Sequence, residues 1–321
     1  MNYYLGIDIG TSSVKSLLMD ATGNIAGTSQ IGYDIIKSSL KHAEQNMEEL
    51  WAAARRTIAD IVKRYPEESA KIQGISYSGQ MHGLVMVDKD GRLIRNAIIW
   101  ADQRSAEEIE KIYQTVGKDA YRSVALNSLS TGFLISSLMW VKEHEPENYE
   151  KIHMVMFPKD YIRYRMCGEL GTDMSDASSG AIFDTRNRQW AWELIEKLGI
   201  RKEIFSECRE SSEIAGEVTE DCAADTGLRA GIKIAYGGGD TLMQGVGNGI
   251  IAPGTLAANI GTACQLSGGF HEPVYDKEFR TNTFCHVKKD LWMLMGAHLS
   301  GGVAMKWLMN QILDMGAFDE M

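Results

Sequence analysis

Residues 3–20 read YYLGIDIGTSSVKSLLMD, and this stretch decides the fold of the first part of the chain. Two apolar runs, 3–9 and 14–20, flank a glycine and hydroxyl residues at 10–13, which is typical of two strands joined by a turn. A second short turn leads into a third run at 25–33. Because short connections join neighbouring strands in opposite directions, the sequence predicts a three-stranded antiparallel meander.

Farther along the chain, helical and strand patterns alternate. Apolar residues recur at helical spacing over 46–64, and Asn46 is placed to cap that helix. A turn at 89–91 between two apolar runs predicts a hairpin, and the pattern of 104–150 is mostly helical. Further strands are predicted at 71–77, 151–157, 230–236, 255–260 and 263–270, and further helices at 158–168 and 302–313. This alternation predicts an α/β protein.

Size and charge limit the classes of function. The 321 residues are enough for about two domains. With 43 acidic and 33 basic residues the net charge is −10, and such a surface repels phosphate backbones and anionic lipids. The uncharged stretch 241–270 contains glycines, a proline and many polar residues, so it predicts buried turns and strands around a ligand and not a membrane span. We therefore expect a small-molecule substrate, with neither nucleic acid nor membrane as a partner.

The cysteine and histidine patterns predict a cytoplasmic protein without a structural zinc site. The five cysteines are odd in number and form no CxxC pair, which argues against a disulfide scaffold and fits a reducing compartment. The histidines lack the spacing of zinc ligands. Asp173 and Asp176 lack the spacing of a calcium-binding loop, and we interpret them as a turn cap.

A short internal repeat suggests two similar lobes. Ile9-Gly10-Thr11 lies between two predicted strands, and Ile260-Gly261-Thr262 lies between two others. The same strand–turn–strand frame at both positions predicts α/β lobes that meet at a nucleotide. We place the lobes at 1–248 and 249–321. Because the chain ends at Met321, soon after the second copy, the second lobe is expected to be incomplete.

The first copy of the repeat carries groups suited to phosphate chemistry. Asp8 lies at the end of the first strand and is followed by Gly10, Thr11 and Ser12. Phosphoryl transfer requires backbone N–H groups and hydroxyls around the phosphates, and a carboxylate near Mg²⁺. Lys15 is placed to offset phosphate charge. The alternative is an ordinary Asp-Gly turn between strands, with Lys15 solvated at the strand edge.

Two other segments predict a site for a hydroxyl-rich ligand. The loop GQMHG places Met81 and His82 between glycines, where a ligand can approach the backbone and His82 offers a neutral donor or acceptor. After the AIIW run, Trp100, Asp102 and Arg104 combine an aromatic face with charged hydrogen-bonding groups, which suits a sugar. The alternatives are structural: a packing role for Met81 and His82, and an Asp102–Arg104 ion pair that caps the following helix.

The run Gly237-Gly238-Gly239-Asp240 follows a predicted strand. Consecutive glycines are costly in conformational entropy unless another group must come close, and ligands of open α/β sheets bind at the ends of strands. An alcohol is a poor nucleophile at neutral pH, so a carboxylate that accepts its proton is the expected base for phosphoryl transfer. Asp240 is the candidate for this base, and a helix N-cap at Asp240 is a compatible alternative.

Taken together and in order, these segments resemble the FGGY family of carbohydrate kinases, and within it the bacterial xylulokinases most closely. The resemblance is carried by LGIDIGTSSVK (5–15), GQMHG (79–83), IIWADQR (98–104), FPKDYIRYRMCGELGTDMSDAS (157–178), GGGDTLMQGVGNGI (237–250), NIGTACQLSGG (259–269) and FCH (284–286). It covers essentially the whole chain. It implies a ribonuclease H-like, actin-type ATPase fold, in which two similar lobes close on a sugar and ATP.

The resemblance also implies an activity and the roles of residues. The activity is transfer of a phosphoryl group from ATP, with Mg²⁺ as cofactor, to the terminal hydroxyl of D-xylulose, which gives D-xylulose 5-phosphate. Asp240 is the implied catalytic base, and Asp8 is the implied residue of the Mg²⁺ site. The implied sugar-binding residues are Met81, His82, Trp100, Asp102 and Arg104. The implied phosphate-binding residues are Thr11, Ser12, Gly261 and Thr262, to which Lys15 adds a positive charge.

Departures from the family pattern leave alternatives open. Thr241 stands where xylulokinases often carry Asn, and Ala101 stands where many carry Asn, so a related ketose or polyol is an alternative substrate. The family's glycine-rich adenosine site lies beyond the length of this chain, so a noncatalytic sugar-binding fragment is a second alternative. A chaperone-type ATPase is disfavoured, because it has no need of the GQMHG loop. A homodimer is also left open.

Overall fold

The computed structural model describes residues 1–261, 264–298 and 300–313. The strands are β1 (Tyr3–Ile9), β2 (Ser13–Asp20), β3 (Ile25–Gly32), β4 (Glu44–Gln45), β5 (Ile72–Gly79), β6 (Val85–Val87), β7 (Ala97–Ile98), β8 (Met154–Met156), β9 (Thr172–Asp173), β10 (Phe183–Asp184), β11 (Gln189–Trp190), β12 (Cys208–Arg209), β13 (Ile214–Glu217), β14 (Lys233–Ala235), β15 (Gly238–Gly239), β16 (Leu256–Ile260), β17 (Cys264–Phe270), β18 (Asn282–Cys285) and β19 (Trp292–His298).

The helices alternate with these strands. They are α1 (Met47–Arg64), α2 (Pro66–Ser69), α3 (Ala106–Val116), α4 (Lys118–Ala125), α5 (Leu134–His144), α6 (Pro146–Lys151), α7 (Pro158–Cys167), α8 (Met174–Ser179), α9 (Trp192–Lys197), α10 (Glu220–Thr226), α11 (Asp240–Gly247) and α12 (Gly302–Leu308). A 3₁₀ turn at Lys202–Ile204 and a π-helical turn at Met309–Leu313 complete the helical segments. None of the helices in the described part of the chain is long and apolar enough to cross a membrane.

The central sheet has the order β13-β14-β5-β1-β2-β3. Strands β1, β2 and β3 form the predicted antiparallel meander, with Ile9 opposite Val14 where the first hairpin closes. Strand β5 runs parallel to β1, and both β14 and β15 run parallel to β5. Because β14 and β15 pair with successive parts of β5, they are two halves of one interrupted strand. The ends of β1, β5 and β15 therefore lie side by side at one edge of the sheet.

Helix α1 packs on this sheet because its apolar positions fall on one side. The Asn46 side chain caps the helix as predicted and accepts a hydrogen bond from Glu48 N at 3.0 Å. On β1, alternate residues point into the same core, which is the period-2 pattern of a strand with one covered face. Each large apolar side chain buried here contributes about 1.5–3 kcal/mol. The buried residues of this core from α1 and β1 are Leu5, Ile7, Ile9, Met47, Leu50, Trp51, Ala53, Ala54, Ile58 and Ile61.

The predicted hairpin around 89–91 forms, but each of its strands also pairs with another segment. Gly91 N donates to Asp88 O at 3.0 Å in the turn, and Val87 pairs with Leu93 and Leu84 with Ile98. Strand β6, however, takes β8 as its main partner, and β7 takes β4. The reason is burial, because both strands lie in the protein interior and pair with segments that are distant in sequence.

A second, antiparallel sheet has the order β16-β17-β19-β18. Like β1 and β2, strands β16 and β17 form an antiparallel hairpin that follows an Ile-Gly sequence, with Ile260 opposite Cys264. Gly261 lies in the turn of this hairpin, and Thr262 lies outside the described residues. The division of the chain at 248 and 249 stays a prediction. The predicted helix at 302–313 is present as α12 followed by the π-helical turn.

Candidate active site

Two carboxylates lie at the edge of the central sheet. Asp8 on β1 lies between Lys15 of β2 and Ser78 of β5 in the strand register. Asp240 follows β15 directly, and Gly238 of that strand pairs with Ser78. Both carboxylates line a cavity of about 700 Å³. The fold therefore brings together the two acids that the sequence assigned to metal binding and to proton transfer.

The surroundings of Asp240 make it a weaker acid than usual. Burial, with a smaller contribution from the negative charge of Asp8, raises the pKa of Asp240 to about 6 against the hydrogen bonds from Thr241. Thr241 N lies 2.6 Å from Asp240 Oδ1. The pKa of Asp8 is also raised by burial, against the hydroxyl of Ser78 and the charge of Lys15. A carboxylate that titrates near pH 6 is ionised at neutral pH and accepts a proton readily, which suits a general base.

The glycines before Asp240 allow close packing of the protein on itself. Gly237 has a φ of 75°, and a side chain there would place its Cβ 2.5 Å from the Tyr77 carbonyl oxygen. A Cβ at Gly238 would lie 2.4 Å from Val287, and one at Gly239 would lie 2.7 Å from Met81. The sequence predicted that some group must approach these glycines closely. At all three positions that group is another part of the protein.

The GQMHG segment forms a loop beside Asp240, which we call the sugar loop (79–83). Met81 is buried against Gly239. His82 has a φ of 75°, stacks on Phe133 with ring centroids 4.0 Å apart, and its Nδ1 lies 2.7 Å from Ser179 O. A carbonyl oxygen only accepts, so Nδ1 carries the proton and Nε2 is left as an acceptor. Burial lowers the pKa of His82 to about 4, against this hydrogen bond, so the ring is neutral at physiological pH.

Asp102 and Arg104 form the ion pair of the predicted structural alternative, but among the residues described no side chain caps α3, the helix that follows. Asp102 is fully buried, and Arg104 Nη2 and Nε lie 2.8 and 3.0 Å from its Oδ2. Ala43 N donates to the same oxygen at 2.7 Å, and Arg104 Nη2 also donates to Glu44 at 2.6 Å. These polar groups thus have protein partners, and their contact with a sugar stays a prediction.

Residues 10–13 form the tight turn between β1 and β2, which we call the phosphate hairpin. Gly10 N donates to Ser13 O at 3.0 Å and closes the turn. Trp100, which is 48% exposed, donates from Nε1 to Thr11 Oγ1 at 2.9 Å. Ser12 is exposed at the tip of the turn. The predicted phosphate residues Thr11 and Ser12 therefore stand next to Trp100, one of the predicted sugar residues.

The other predicted phosphate residues are placed around the same edge of the sheet. Lys15 is exposed and lies opposite Asp8, near enough for its charge to lower the pKa of that carboxyl. Gly261 is exposed in the matching turn of the second sheet. For Thr262, which lies outside the described residues, the predicted role stays untested.

Three carboxamides that sequence reasoning missed line the cavity. Gln244 of α11, Asn259 of β16 and Gln265 of β17 face the same space as Asp8 and Asp240. Asn259 Nδ2 lies 3.4 Å from Gln244 Oε1. Amide side chains do not titrate and form no motif, so the one available signal was the uncharged stretch 241–270, which contains all three. They add neutral donors and acceptors to the cavity that holds the two acids.

A buried ion cluster lies behind the site. Lys159 Nζ lies 2.7 Å from Asp160, 2.8 Å from Asp173 and 3.2 Å from Asp176, and all four side chains are fully buried. Burial raises the pKa of Asp176 well above its ordinary value, Lys159 opposes this, and the neighbouring carboxylates add to it. Asp173 also caps α8 through Ser175 N. The predicted capping role is therefore confirmed for Asp173, which caps a helix. Beyond that role, Asp173 and Asp176 belong to a buried network of charges around Lys159.

This cluster supports the loops that carry the candidate catalytic residues. The Lys159 side chain fills the space where a Cβ on Gly79 would lie, 2.6 Å away. Ser175 Oγ accepts a hydrogen bond from Gly239 N at 3.1 Å, and Asp176 lies beside the same glycine. The start of the sugar loop and the residue before Asp240 thus share one buried support.

The strand order, the repeated hairpin and the two carboxylates at the strand ends define the class of protein. They are those of the ribonuclease H-like, actin-type ATPase fold. Residues 3–247 match the N-terminal domain of the FGGY family of carbohydrate kinases. The chain belongs to this family, and the predicted fold class and family resemblance are both confirmed.

Individual relatives are sugar kinases. The chain is 32% identical to the xylulose kinase of Bacillus subtilis (strain 168) over 321 residues, which is all of this chain and 64% of that protein. It is 28% identical to the gluconokinase of the same strain over 312 residues, 97% of this chain and 60% of that one. The crystal structure of a "xyloylose kinase" from Brucella ovis superposes with a TM-score of 0.91 at 33% identity, covering 96% of this chain and 63% of that one. The chain thus spans less than two thirds of the length of each of these relatives.

Proposed function

We propose that this chain carries the phosphoryl-transfer centre of an ATP-dependent sugar kinase whose acceptor is D-xylulose. The observation that carries the proposal is the placement of Asp240, half-buried beside Asp8 in one cavity and directly after Gly239, which packs on Met81 of the sugar loop. Family membership and the xylulose kinase relatives support the reaction class. A homodimer and a cytoplasmic location stay predictions.

Transfer begins with the sugar held next to Asp240. His82 Nε2 accepts a hydrogen bond from a sugar hydroxyl, and Met81 packs beside it. Asp240 removes the proton from the terminal hydroxyl as that oxygen bonds to the γ-phosphorus of ATP. The bond from the γ-phosphorus to the bridging oxygen breaks at the same time, and ADP leaves. Thr11, Ser12 and Lys15 hold the phosphates during the transfer.

The residues at the sheet edge fit a magnesium ion. The cavity presents carboxylate and amide oxygens, among them those of Asp8 and Gln244, and oxygen atoms are the ligands that Mg²⁺ prefers. When bound, Mg²⁺ would neutralise negative charge that develops on the phosphates. Asp8 would hold it, directly or through water.

The charges around the sugar loop favour a neutral acceptor over an anionic one. Lys159 contacts the loop at Gly79, but three carboxylates already surround its ammonium group. Arg104 is likewise paired with Asp102 and Glu44. A carboxylate such as that of gluconate would find neither cation free. Gluconate is nevertheless the second candidate, because a gluconokinase is among the relatives.

The first test is ADP release by this 321-residue chain with Mg-ATP and separate sugars. We expect turnover with D-xylulose, little with gluconate, and none without sugar. Turnover with gluconate alone would replace the proposed acceptor. If no sugar gives ADP while calorimetry still detects D-xylulose binding, the chain is the noncatalytic sugar-binding form, and the proposed activity is wrong.

The rate is expected to depend on pH through Asp240. Only the ionised carboxylate can accept a proton, and its pKa is about 6. We therefore expect kcat/KM to fall about tenfold per pH unit below pH 6 and to level off above it. A profile measured with saturating Mg-ATP would check this. A rate that stays constant between about pH 5 and pH 8 would contradict the assignment of Asp240 as the base.

A further inference from the structure

Two buried carboxamides, Gln45 and Gln80, connect the sugar loop to the phosphate hairpin. Gln80 Nε2 donates to Gln45 Oε1 at 2.6 Å, and Gln45 Nε2 donates to Thr11 O at 2.7 Å. Gln80 Nε2 also lies 3.4 Å from Gly10 O. Because backbone carbonyls only accept, the direction of donation along this chain of amides is fixed. Gln45 is 0% exposed and Gln80 is 1% exposed, so water does not compete for these bonds.

This arrangement leaves the donors of the hairpin available. Gln45 holds the carbonyl of Thr11, and the carbonyl of Gly10 accepts from the hydroxyl of Tyr33, with Gln80 Nε2 3.4 Å away. Thr11 N and Ser12 N make no hydrogen bond to any residue within the described ranges. Thr11 Oγ1 accepts from Trp100, which leaves its own O–H to donate elsewhere. Successive free N–H groups in a turn form an anion-binding concavity. The hairpin therefore offers two N–H groups and one hydroxyl.

Gln80 carries a second observation. Its Oε1 is buried and accepts no hydrogen bond from any part of the chain that the structure describes. An unmet buried acceptor destabilises a fold and calls for a specific explanation. Gln80 N also donates to Ile9 O at 2.8 Å, which joins the sugar loop to the end of β1.

We infer that Gln45 and Gln80 are positioning residues, which hold the phosphate hairpin so that its free donors face the phosphates of the nucleotide. The inference rests on the proposed function for the identity of the anion. Because Gln80 directly precedes Met81, the same amide chain keeps the hairpin in register with the sugar loop. The acceptor hydroxyl and the phosphates are thereby held at a fixed spacing.

Hydrogen exchange tests the positioning without relying on activity. The variants are Gln45→Met and Gln80→Met, which keep the side-chain length and lose the amide. The control is Gln30→Met, because Gln30 donates to the same hairpin at Ser13 Oγ (2.9 Å) from an exposed position and touches no hairpin carbonyl. We expect exchange of the Gly10 amide, which donates to Ser13 O and closes the turn, to become about tenfold faster in the two variants and to stay unchanged in the control. Unchanged exchange in both variants would overturn the inference.

Ligand binding gives the second measurement. Calorimetry with the magnesium complex of a non-hydrolysable ATP analogue should show affinity about tenfold weaker in Gln45→Met and Gln80→Met, with D-xylulose affinity retained. Equal nucleotide affinity in wild type and both variants would overturn the inference and leave the proposed kinase intact. A wild-type chain that binds no nucleotide would overturn the proposed function, while hydrogen exchange still decides whether the glutamines hold the hairpin.

A third variant covers the case in which the methionine variants do not fold. Gln80→Asn keeps a neutral amide but is one methylene shorter, which draws the donating nitrogen away from Gln45 Oε1. We expect it to fold and to show the same faster exchange of the Gly10 amide. Wild-type exchange of that amide in a folded Gln80→Asn protein would also overturn the inference.

Discussion

The Asp240→Asn variant is expected to bind sugar and nucleotide but to transfer the phosphoryl group about 10²–10⁴ times more slowly. Asparagine has the shape of the aspartate and keeps an oxygen for the hydrogen bond from Thr241 N, which measures 2.6 Å in the wild type. It lacks the basic oxygen that takes the proton from the sugar. The measurement is kcat from ADP release, with D-xylulose affinity from calorimetry. Retained turnover in this variant would remove Asp240 from the role of base.

Thermal unfolding provides the control for this variant. The pKa of Asp240 in the folded protein is about 6, above the ordinary value of 3.8. The ionised carboxylate therefore opposes folding at high pH, and this penalty shrinks as the pH falls below 6 and is gone below the unfolded value of 3.8. We expect Asp240→Asn to unfold at a higher temperature than wild type at pH 8, and the difference to shrink at pH 5. Asp221→Asn, at an exposed position on α10, should change neither turnover nor stability.

Lys159→Met should be the most destabilising of the substitutions considered. Removing the cation leaves Asp160 with Arg163 at 3.8 Å and leaves Asp173 with hydrogen bonds from Ser175 and Ser211. Breaking a buried ion pair in this way costs about 3–5 kcal/mol. The free energy of unfolding from urea titration would measure it. Since mesophilic domains have only about 5–15 kcal/mol in total, the variant is expected to be close to unfolded.

Two further variants make this prediction specific to the buried cluster. Adding Asp176→Asn to Lys159→Met should recover little stability, because burial already keeps the pKa of Asp176 well above its ordinary value and the side chain largely neutral. Lys202→Met removes an exposed pair with Glu196 at 2.8 Å and should cost less than about 1 kcal/mol. A loss as small as that for Lys159→Met would show that the cluster is not a stabilising centre.

The parts of the fold that depend on local pattern were predictable from the sequence. The predicted strands 3–9, 14–20 and 25–33 differ by at most one residue at each end from β1, β2 and β3, and helix α1 begins just after its predicted cap. Alternation and capping are properties of neighbouring residues, so they are visible in sequence. The pairing of β6 with β8 was not predictable, because the choice of partner depends on burial across distant segments.

The candidate site was predictable where one residue type carries the chemistry. Asp8 and Asp240 were selected because they are acids at strand ends, and the fold brings them to one cavity. The sequence could not decide whether Asp102 contacts a sugar or pairs with Arg104. That decision depends on contacts with Ala43 and Glu44, which are distant in sequence. Lys159 was missed as the centre of a cluster because a lysine in a polar segment normally implies exposure. The cavity amides were missed because neutral side chains carry no titration or spacing signal.

The glycines at 237–239 limit what a mutagenesis survey of this site can reveal about catalysis. Each is held at its position by contact with other parts of the protein, from Tyr77, Val287 and Met81, and not by contact with a ligand. A saturation mutagenesis survey scored on activity would therefore rank them with Asp240 as equally intolerant. Scoring the same library for the amount of folded protein would separate them, because the glycine variants would be lost from cells and the Asp240 variants would accumulate normally. In this protein, intolerance alone does not identify a catalytic residue.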